Sequence, residues 1–465
     1  MKRNLLILLA IGIFGMTACY APSGPQPVAT AVAPAAPTEV ATATATSAPT
    51  AMADETSGAP APGSLVVDPA VDLGPISPYV YGTNYGPMHA VPIEMMPDII
   101  DSGFTALRWP GGAWTDTVDM QPFQLDQFVW FYEQLGALPT VSVRLHNGSP
   151  ETAASLVSYA RDMNYGIEYW SIGNEPTLYE EQFNESYDTE RFNREWRAIA
   201  EAMKAADPSI KLMGPELHQW NSSLTTTLKD SAGRDWMTEF LQANGDLVDV
   251  VTVHRYPYWS ATNEPATFDQ MQASAAAMND EVAYLRDLIK ETTGRDLPVA
   301  ITELNSTPTS VQGQPASPDS FYNAIWYADV LGRLISEDVW MVNQWVISQR
   351  TTGLGLISGF TIRPTLYTFQ MYKHFGDQQV EAHSGTEGVN VYAALRDDGA
   401  LTVMVVNLTD EEQTVPLQVA GAGPSEAEIW LLDAEHNAEN LGIQPLPADG
   451  TVTLPAQSVT LYVIQ

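Results

Sequence analysis

The stretch Thr140–Met163, TVSVRLHNGSPETAASLVSYARDM, decides how the body of this chain is read. Its first part is a short Val-rich run, the composition of a buried strand. A polar turn follows. Pro150, a residue suited to the first turn of a helix, then opens an amphipathic segment that runs to Met163. A strand followed by a helix is the repeating unit of a parallel sheet, and the unit recurs on both sides of this one.

Strand candidates are Tyr79–Asn84, Thr105–Trp109, Thr140–Leu145, Glu168–Ile172, Lys211–Gly214, Val248–His254, Val299–Thr302 and Trp340–Trp345. Amphipathic stretches lie between them, among them Thr189–Ala206, Met271–Lys290 and Phe321–Ile335. Eight such alternations predict an α/β fold, a TIM (β/α)8 barrel. A doubly wound open sheet is the competing fold. It wants a Gly-rich phosphate turn after its first strand, and YGTNYGP (Tyr81–Pro87) is not one. After about Tyr367 the helical pattern stops. Val389–Arg396, Leu401–Leu408, Thr414–Ala420, Ala427–Leu432, Thr451–Leu454 and Val459–Ile464 read as strands of a C-terminal antiparallel β-sandwich. The expected organisation is a barrel over 79–366 and a sandwich over 367–465, with a strand in 64–78 joining the sandwich.

The N-terminal residues read differently. Lys2-Arg3-Asn4 precedes an apolar run, Leu5–Phe14, too short to span a bilayer comfortably, and the segment ends Met16-Thr17-Ala18-Cys19. Residues 1–19 resemble a bacterial lipoprotein signal. That resemblance implies acylation at Cys19, export to the cell surface or another extracytoplasmic site, and membrane contact only through the lipid anchor. An ordinary secretory peptide with an incidental Cys is the alternative, and it also implies export. Residues 20–63 are Ala, Pro, Thr and Ser with Val and lack Lys and Arg, the composition of a disordered tether.

Composition narrows the partners. The formal net charge of −35 excludes a phosphate-backbone partner, which needs a positive footprint, so no nucleic acid is expected. The 12 Trp, 19 Tyr and 13 Phe exclude global disorder. A single Cys excludes a disulfide framework and a Cys-based zinc site. His146, His218 and His254 follow three different strands without a paired-His motif, so no metal and no cofactor are expected. Oligomeric state is not legible.

Catalytic groups of such barrels come from the C-terminal ends of the strands. Here those ends carry Arg108, His146, Asn174-Glu175, Glu216, His254-Arg255-Tyr256, Glu303 and Gln344-Trp345. Glu175 follows the fourth barrel strand and Glu303 the seventh. Strands four and seven face each other across the mouth. Glycoside hydrolysis needs two carboxyl groups flanking one acetal bond, one to protonate the leaving oxygen and one to attack or to activate water.

SIGNEP (Ser171–Pro176) resembles the acid/base motif of clan A glycoside hydrolases, and ITELNS (Ile301–Ser306) resembles their nucleophile motif. LRWPGG (Leu107–Gly112) and VHRYPY (Val253–Tyr258) are similar to the second- and sixth-strand segments of families 51, 44, 39 and 30. RWPGG leans toward 51, ITELN toward 44 or 39. The resemblance implies a retaining hydrolase of neutral plant-type polysaccharides or oligosaccharides, arabinofuranosidase-like or endo-β-glucanase/hemicellulase-like. It implies Glu175 as acid and then base, and Glu303 as nucleophile. Arg108 and Tyr256 would then lower the pKa of Glu303, and the paired carboxylate would raise that of Glu175. Asn174 would bond the sugar 2-hydroxyl, His254 would orient Tyr256 or bond a hydroxyl, and Trp345 would floor the reacting subsite. Trp114, Tyr85, His146, His218, Trp220 and Trp259 follow other strands and could form further subsites, though each alone reads as structural or merely exposed, and Asp116 and Asp119 read as solvated loop residues, with a substrate-hydroxyl contact as the alternative. Two other functions fit the same residues: a glycan-binding surface lipoprotein without turnover, and a transglycosidase.

Overall fold

The computed structural model describes residues 62–220, 228–258, 264–421 and 425–465. The signal-like segment with Cys19, most of the tether and Trp259 lie outside the described residues. The strands are β1 (Leu65–Pro75), β2 (Tyr79–Asn84), β3 (Ala106–Trp109), β4 (Leu138–Val143), β5 (Tyr169–Ile172), β6 (Lys211–Leu217), β7 (Val250–Arg255), β8 (Val299–Leu304) and β9 (Met341–Gln344). Then come a short hairpin of β10 (Ile357–Ser358) and β11 (Thr361–Ile362), β12 (Gln378–Ser384), β13 (Val389–Leu395) and β14 (Leu401–Asn407). The last five are β15 (Gln413–Val419), β16 (Glu426–Leu432), β17 (Glu439–Pro445), β18 (Thr451–Leu454) and β19 (Ser458–Ile464).

Strands β2 to β9 close a barrel in chain order, each parallel to its neighbours. Helices cover the outside, so strands such as β7 and β8 are buried along their whole length. Inside, the filling changes from bottom to top. Ala106, Met213, Val250, Ala300 and Met341 form one buried apolar layer, with Tyr79, Tyr169 and Trp340 packed against it. Residues two apart share a face of a strand. Two positions further along, Arg108, Thr252, Thr302 and Asn343 are buried and polar, and Pro215 takes that place on β6.

The remaining long strands make one nine-stranded curled sheet, ordered β17-β16-β19-β14-β13-β12-β1-β15-β18. Strand β1, which precedes the barrel, lies between β12 and β15; it runs antiparallel to the first and parallel to the second. The sheet encloses its own core, including Leu65, Val391, Val403, Val405 and Leu417. It braces the barrel through the helix Phe321–Ser336, where the Tyr392 hydroxyl donates to Asp329 Oδ1 at 2.6 Å. Gly332 lets that ring approach, since a Cβ there would strike it.

Three elements differ from the sequence reading. The helical pattern runs past Tyr367, because the helix Thr365–Tyr372 docks Leu366, Phe369 and Met371 in the barrel core and donates its Tyr372 hydroxyl to Ala328 O at 2.7 Å. Strand β12 is missed because only Val380 of it is buried, which erases the alternation. Strand β17 is an edge strand with no buried residue.

Candidate active site

The polar upper layer of the barrel is a hydrogen-bonded cluster centred on Arg108, which is fully buried on β3. Its Nη1 donates to Glu303 Oε1 at 2.8 Å and to Asn84 Oδ1 at 3.0 Å, and its Nη2 donates to Asn174 Oδ1 at 2.8 Å. Glu303, on β8, accepts two further bonds. The Gly112 N–H reaches Oε1 at 3.2 Å and the Tyr256 hydroxyl reaches Oε2 at 2.7 Å. A carboxylate is an acceptor only, and these donors serve both oxygens of Glu303.

Glu175 follows β5, and its side chain keeps 20% of its surface exposed. Its backbone N–H donates to Glu216 O at 3.0 Å, and its Oε1 meets His254 Nδ1 at 2.9 Å. One carboxylate oxygen of Glu175, one of Glu303 and a ring nitrogen of His254 all lie within 4.8 Å of one another. Glu175, Glu303, Arg108, Asn174, His254 and Tyr256 thus come together from four strands, β3, β5, β7 and β8. Trp345 joins them through its ring. A Cβ on Gly112 would stand 2.5 Å from Trp345 Cη2, and Gly112 holds φ +66°. Only glycine therefore delivers an N–H to Glu303 beneath that indole.

Two residues that the sequence reading passed over hold the cluster in place. Glu216, at the end of β6, is fully buried. Its Oε2 lies 3.0 Å from His254 Nε2 and 3.5 Å from Arg108 Nη2, and it also accepts from the Thr302 hydroxyl. A lone Glu after a strand carries too little signal to be chosen without these contacts. Asp116 is the other, and here the structure corrects the expectation of a solvated residue. It is 1% exposed because its carboxylate is spent on backbone. Oδ1 accepts from Leu145 N–H at 2.8 Å and His146 N–H at 3.0 Å, and Oδ2 from Asn174 N–H at 2.8 Å and the Tyr179 hydroxyl at 2.5 Å. It ties together the loops after three barrel strands and fixes the backbone beside Glu175. Asp119 does lie toward solvent, 3.6 Å from Arg144.

Other rim candidates are packed rather than displayed. Trp220 is buried against Tyr284, Tyr85 stacks on Phe131 at 4.1 Å, and His146 stacks on Phe183 at 3.5 Å while binding Glu185. His218 meets the Thr177 hydroxyl at 2.5 Å. Trp114 is half-buried near Trp109.

The electrostatics follow from the contacts. Burial works against charge on His254, but the carboxylates of Glu303, Glu175 and Glu216 outweigh it and raise the ring to about 9. Burial likewise opposes charge on Glu216, yet Arg108, His254 and Thr302 bring it down to about 2. Glu175 departs from the expected upward shift. Burial pushes it up, but the hydrogen bond and charge of His254, with His218 and Arg108, hold it below the ordinary carboxylate value. The like-charge neighbour invoked from sequence is overridden by a cation that sequence did not place there. Burial and Glu303 raise the Tyr256 hydroxyl well above its usual value, so it remains a donor.

Glu175, His254 and Glu303 are also close enough to share a metal ion. The ring does not suit that role. Both of its nitrogens face carboxylates at hydrogen-bond distance, and in the cationic form that these carboxylates favour the ring has no lone pair for a metal.

The model of glycosyl hydrolases family 39 matches residues 159–409, more than half of the chain and the part that holds both carboxylates. The chain belongs to glycosyl hydrolase family 39. It is an O-glycosyl hydrolase of clan A, whose substrate is a polysaccharide or oligosaccharide. Residues 386–460, within the curled sheet, match the C-terminal immunoglobulin-like domain of D-apionate lactonase. Among curated proteins, the chain is 25% identical over 422 residues to alpha-L-arabinofuranosidase C of Emericella nidulans, covering 76% of this chain and 79% of that one. Among solved structures it resembles the alpha-L-arabinofuranosidase of Thermotoga maritima, with TM-score 0.70, 18% identity and coverage of 86% and 99%. It also resembles CelM2, a bifunctional glucanase-xylanase from a metagenome library, with TM-score 0.67, 19% identity and coverage of 87% and 99%.

Proposed function

We propose that this family 39 hydrolase retains anomeric configuration by double displacement, with Glu303 as nucleophile and Glu175 as acid and then base. One observation carries the reading: a carboxylate oxygen of Glu175 and one of Glu303 lie within 4.8 Å. Retaining enzymes hold their carboxyl groups about 5–5.5 Å apart, whereas inverting ones leave room for a water between them. Glu303 attacks the anomeric carbon as the bond to the leaving oxygen breaks, and the proton of Glu175 goes to that oxygen. Water then releases the sugar while Glu175 takes a proton back. Asn174, whose Oδ1 accepts from Arg108, would bond the sugar 2-hydroxyl, and Trp345 would floor the reacting ring.

The substrate class we infer is neutral plant-type polysaccharide or its oligosaccharides. The names of the relatives, arabinofuranosidases and a glucanase-xylanase, support that range. The downward shift of Glu175 means its proton is present only on the acid side, so turnover of unactivated glycosides is expected to fall as pH rises toward neutrality. We also infer export with lipid attachment at Cys19, supported by the sequence of residues 1–19; labelled fatty acid should be incorporated into the wild type and not into Cys19→Ala.

The test is a mechanism-based 2-fluoro glycoside with mass spectrometry of the labelled peptide, plus NMR of the product anomer. Label on Glu303 and retained configuration are expected; inversion would remove the double displacement. Glu303→Ala should lose roughly 10⁴-fold or more in kcat/KM. Glu175→Ala should lose about 10²–10⁴-fold on sugar leaving groups and little on activated aryl glycosides. Transfer to added sugar acceptors in competition with water would mark a transglycosidase.

A further inference from the structure

Glu216 is the one acidic group of the cluster to which the two-carboxylate mechanism gives no task. It is nonetheless the most enclosed of the three, with no exposed surface and φ +58°, a backbone region that non-glycine residues rarely hold. A buried carboxylate is expensive unless paired. Here the pairing has a direction, because Glu216 Oε2 faces Nε2 of His254 and the opposite nitrogen, Nδ1, faces Glu175.

The protonation state of His254 decides what Glu175 experiences. An imidazolium has two N–H groups and only donates. A neutral ring whose Nδ1 is bare accepts, and at 2.9 Å it would take the proton of Glu175 itself, holding it away from any leaving group. Resting on the retaining reading above, we infer that Glu216 is a positioning residue: its buried carboxylate keeps both nitrogens of His254 protonated. His254 can then only donate to Glu175 Oε1, and the transferable proton of Glu175 is confined to the opposite oxygen. Among the described residues, no side chain or backbone group donates to that second oxygen.

The charge count agrees. Charged groups facing His254 are Glu175 after β5, Glu216 on β6, Glu303 on β8 and Arg108 on β3, with His218 after β6 further out. With Glu175 protonated, the two cations Arg108 and His254 balance the two anions Glu216 and Glu303. Removing the charge of Glu216 makes every proton of the His254–Glu175 pair easier to lose.

Two measurements test this. In the wild type, ¹⁵N NMR of histidine-labelled enzyme should show both nitrogens of His254 protonated at pH 7; one bare nitrogen there would overturn the inference whatever any variant does. In Glu216→Gln, the alkaline limb of kcat/KM should move to lower pH by about one unit or more. At the optimum, kcat/KM should fall roughly 10- to 100-fold with sugar leaving groups and little with activated aryl glycosides, within what a positioned general acid supplies. A limb that stays in place, or an equal loss on both substrate types, would reduce Glu216 to a structural role. Neither outcome touches the assignment of Glu303, which the labelled peptide decides separately.

Discussion

The two layers inside the barrel are built on the same strands, two to four residues apart, and obey opposite rules. The lower layer, Ala106, Met213, Val250, Ala300 and Met341, is held by shape and apolar contact. The upper layer, Arg108, Glu216, His254 and Glu303 with their neighbours, is buried and held by charge-assisted hydrogen bonds. Apolar packing is tolerant because many exchanges keep volume and cost little. A buried charged network is intolerant because each member is the solvation of the others. The lower layer therefore tolerates exchange, and the upper layer, which carries the chemistry, does not.

The contrast breaks first at Arg108. Arg108→Met leaves Glu216 and Glu303 without their shared cation, and the loss of one partner from a buried ion pair costs about 3–5 kcal/mol. Denaturant unfolding should read that loss, along with a collapse of kcat/KM. A small change in midpoint would mean the network is better hydrated than its burial implies.

pH gives the next effect, of opposite sign at its two ends. His254 rises from 6.5 to about 9, so its contribution to stability is whole below pH 6.5 and is lost as pH climbs through about 9. Glu216 falls from 4.5 to about 2, so its contribution is whole above pH 4.5 and is lost as pH drops through about 2. Thermal melts across this range should show both declines, and His254→Phe should flatten the alkaline one.

Gly112→Ala tests the ceiling of the upper layer. Forcing a Cβ toward the Trp345 indole at a left-handed backbone should cost roughly 1–3 kcal/mol and raise KM as the indole shifts. The smallest effect belongs to the lower layer. Met213→Leu keeps volume and should cost less than about 1.5 kcal/mol, with kcat/KM unchanged. A large catalytic loss there would show that the two layers are coupled rather than separate.

The barrel strands were legible because a fully enclosed parallel strand is a run of apolar residues whatever its neighbours. Thr189–Ala206 was legible to the residue for a related reason, an amphipathic face with Asp188 capping its start. Strands β12 and β17 were not, since neither buries a continuous stripe. At the site, Glu175 and Glu303 stood out because their motifs are local in sequence. Glu216 did not, because what distinguishes it is contact with Arg108, His254 and Thr302, residues that come from three other strands. Asp116 was misread for the same reason: its partners at 145, 146, 174 and 179 are distant in the chain.

Sequence by itself determined the order of the barrel strands and helices, the polar or aromatic character of nearly every barrel strand's C-terminal end, and the two acidic residues in hydrolase-like motifs. Those are properties of neighbouring residues, and hydrophobic periodicity and local motif carry them. Tertiary structure alone decided the separation of the two carboxyls, the direction in which Glu175 is shifted and the existence of a third carboxylate behind His254. Each of these depends on which charges meet across a barrel, and Coulomb interaction acts through space rather than along the chain.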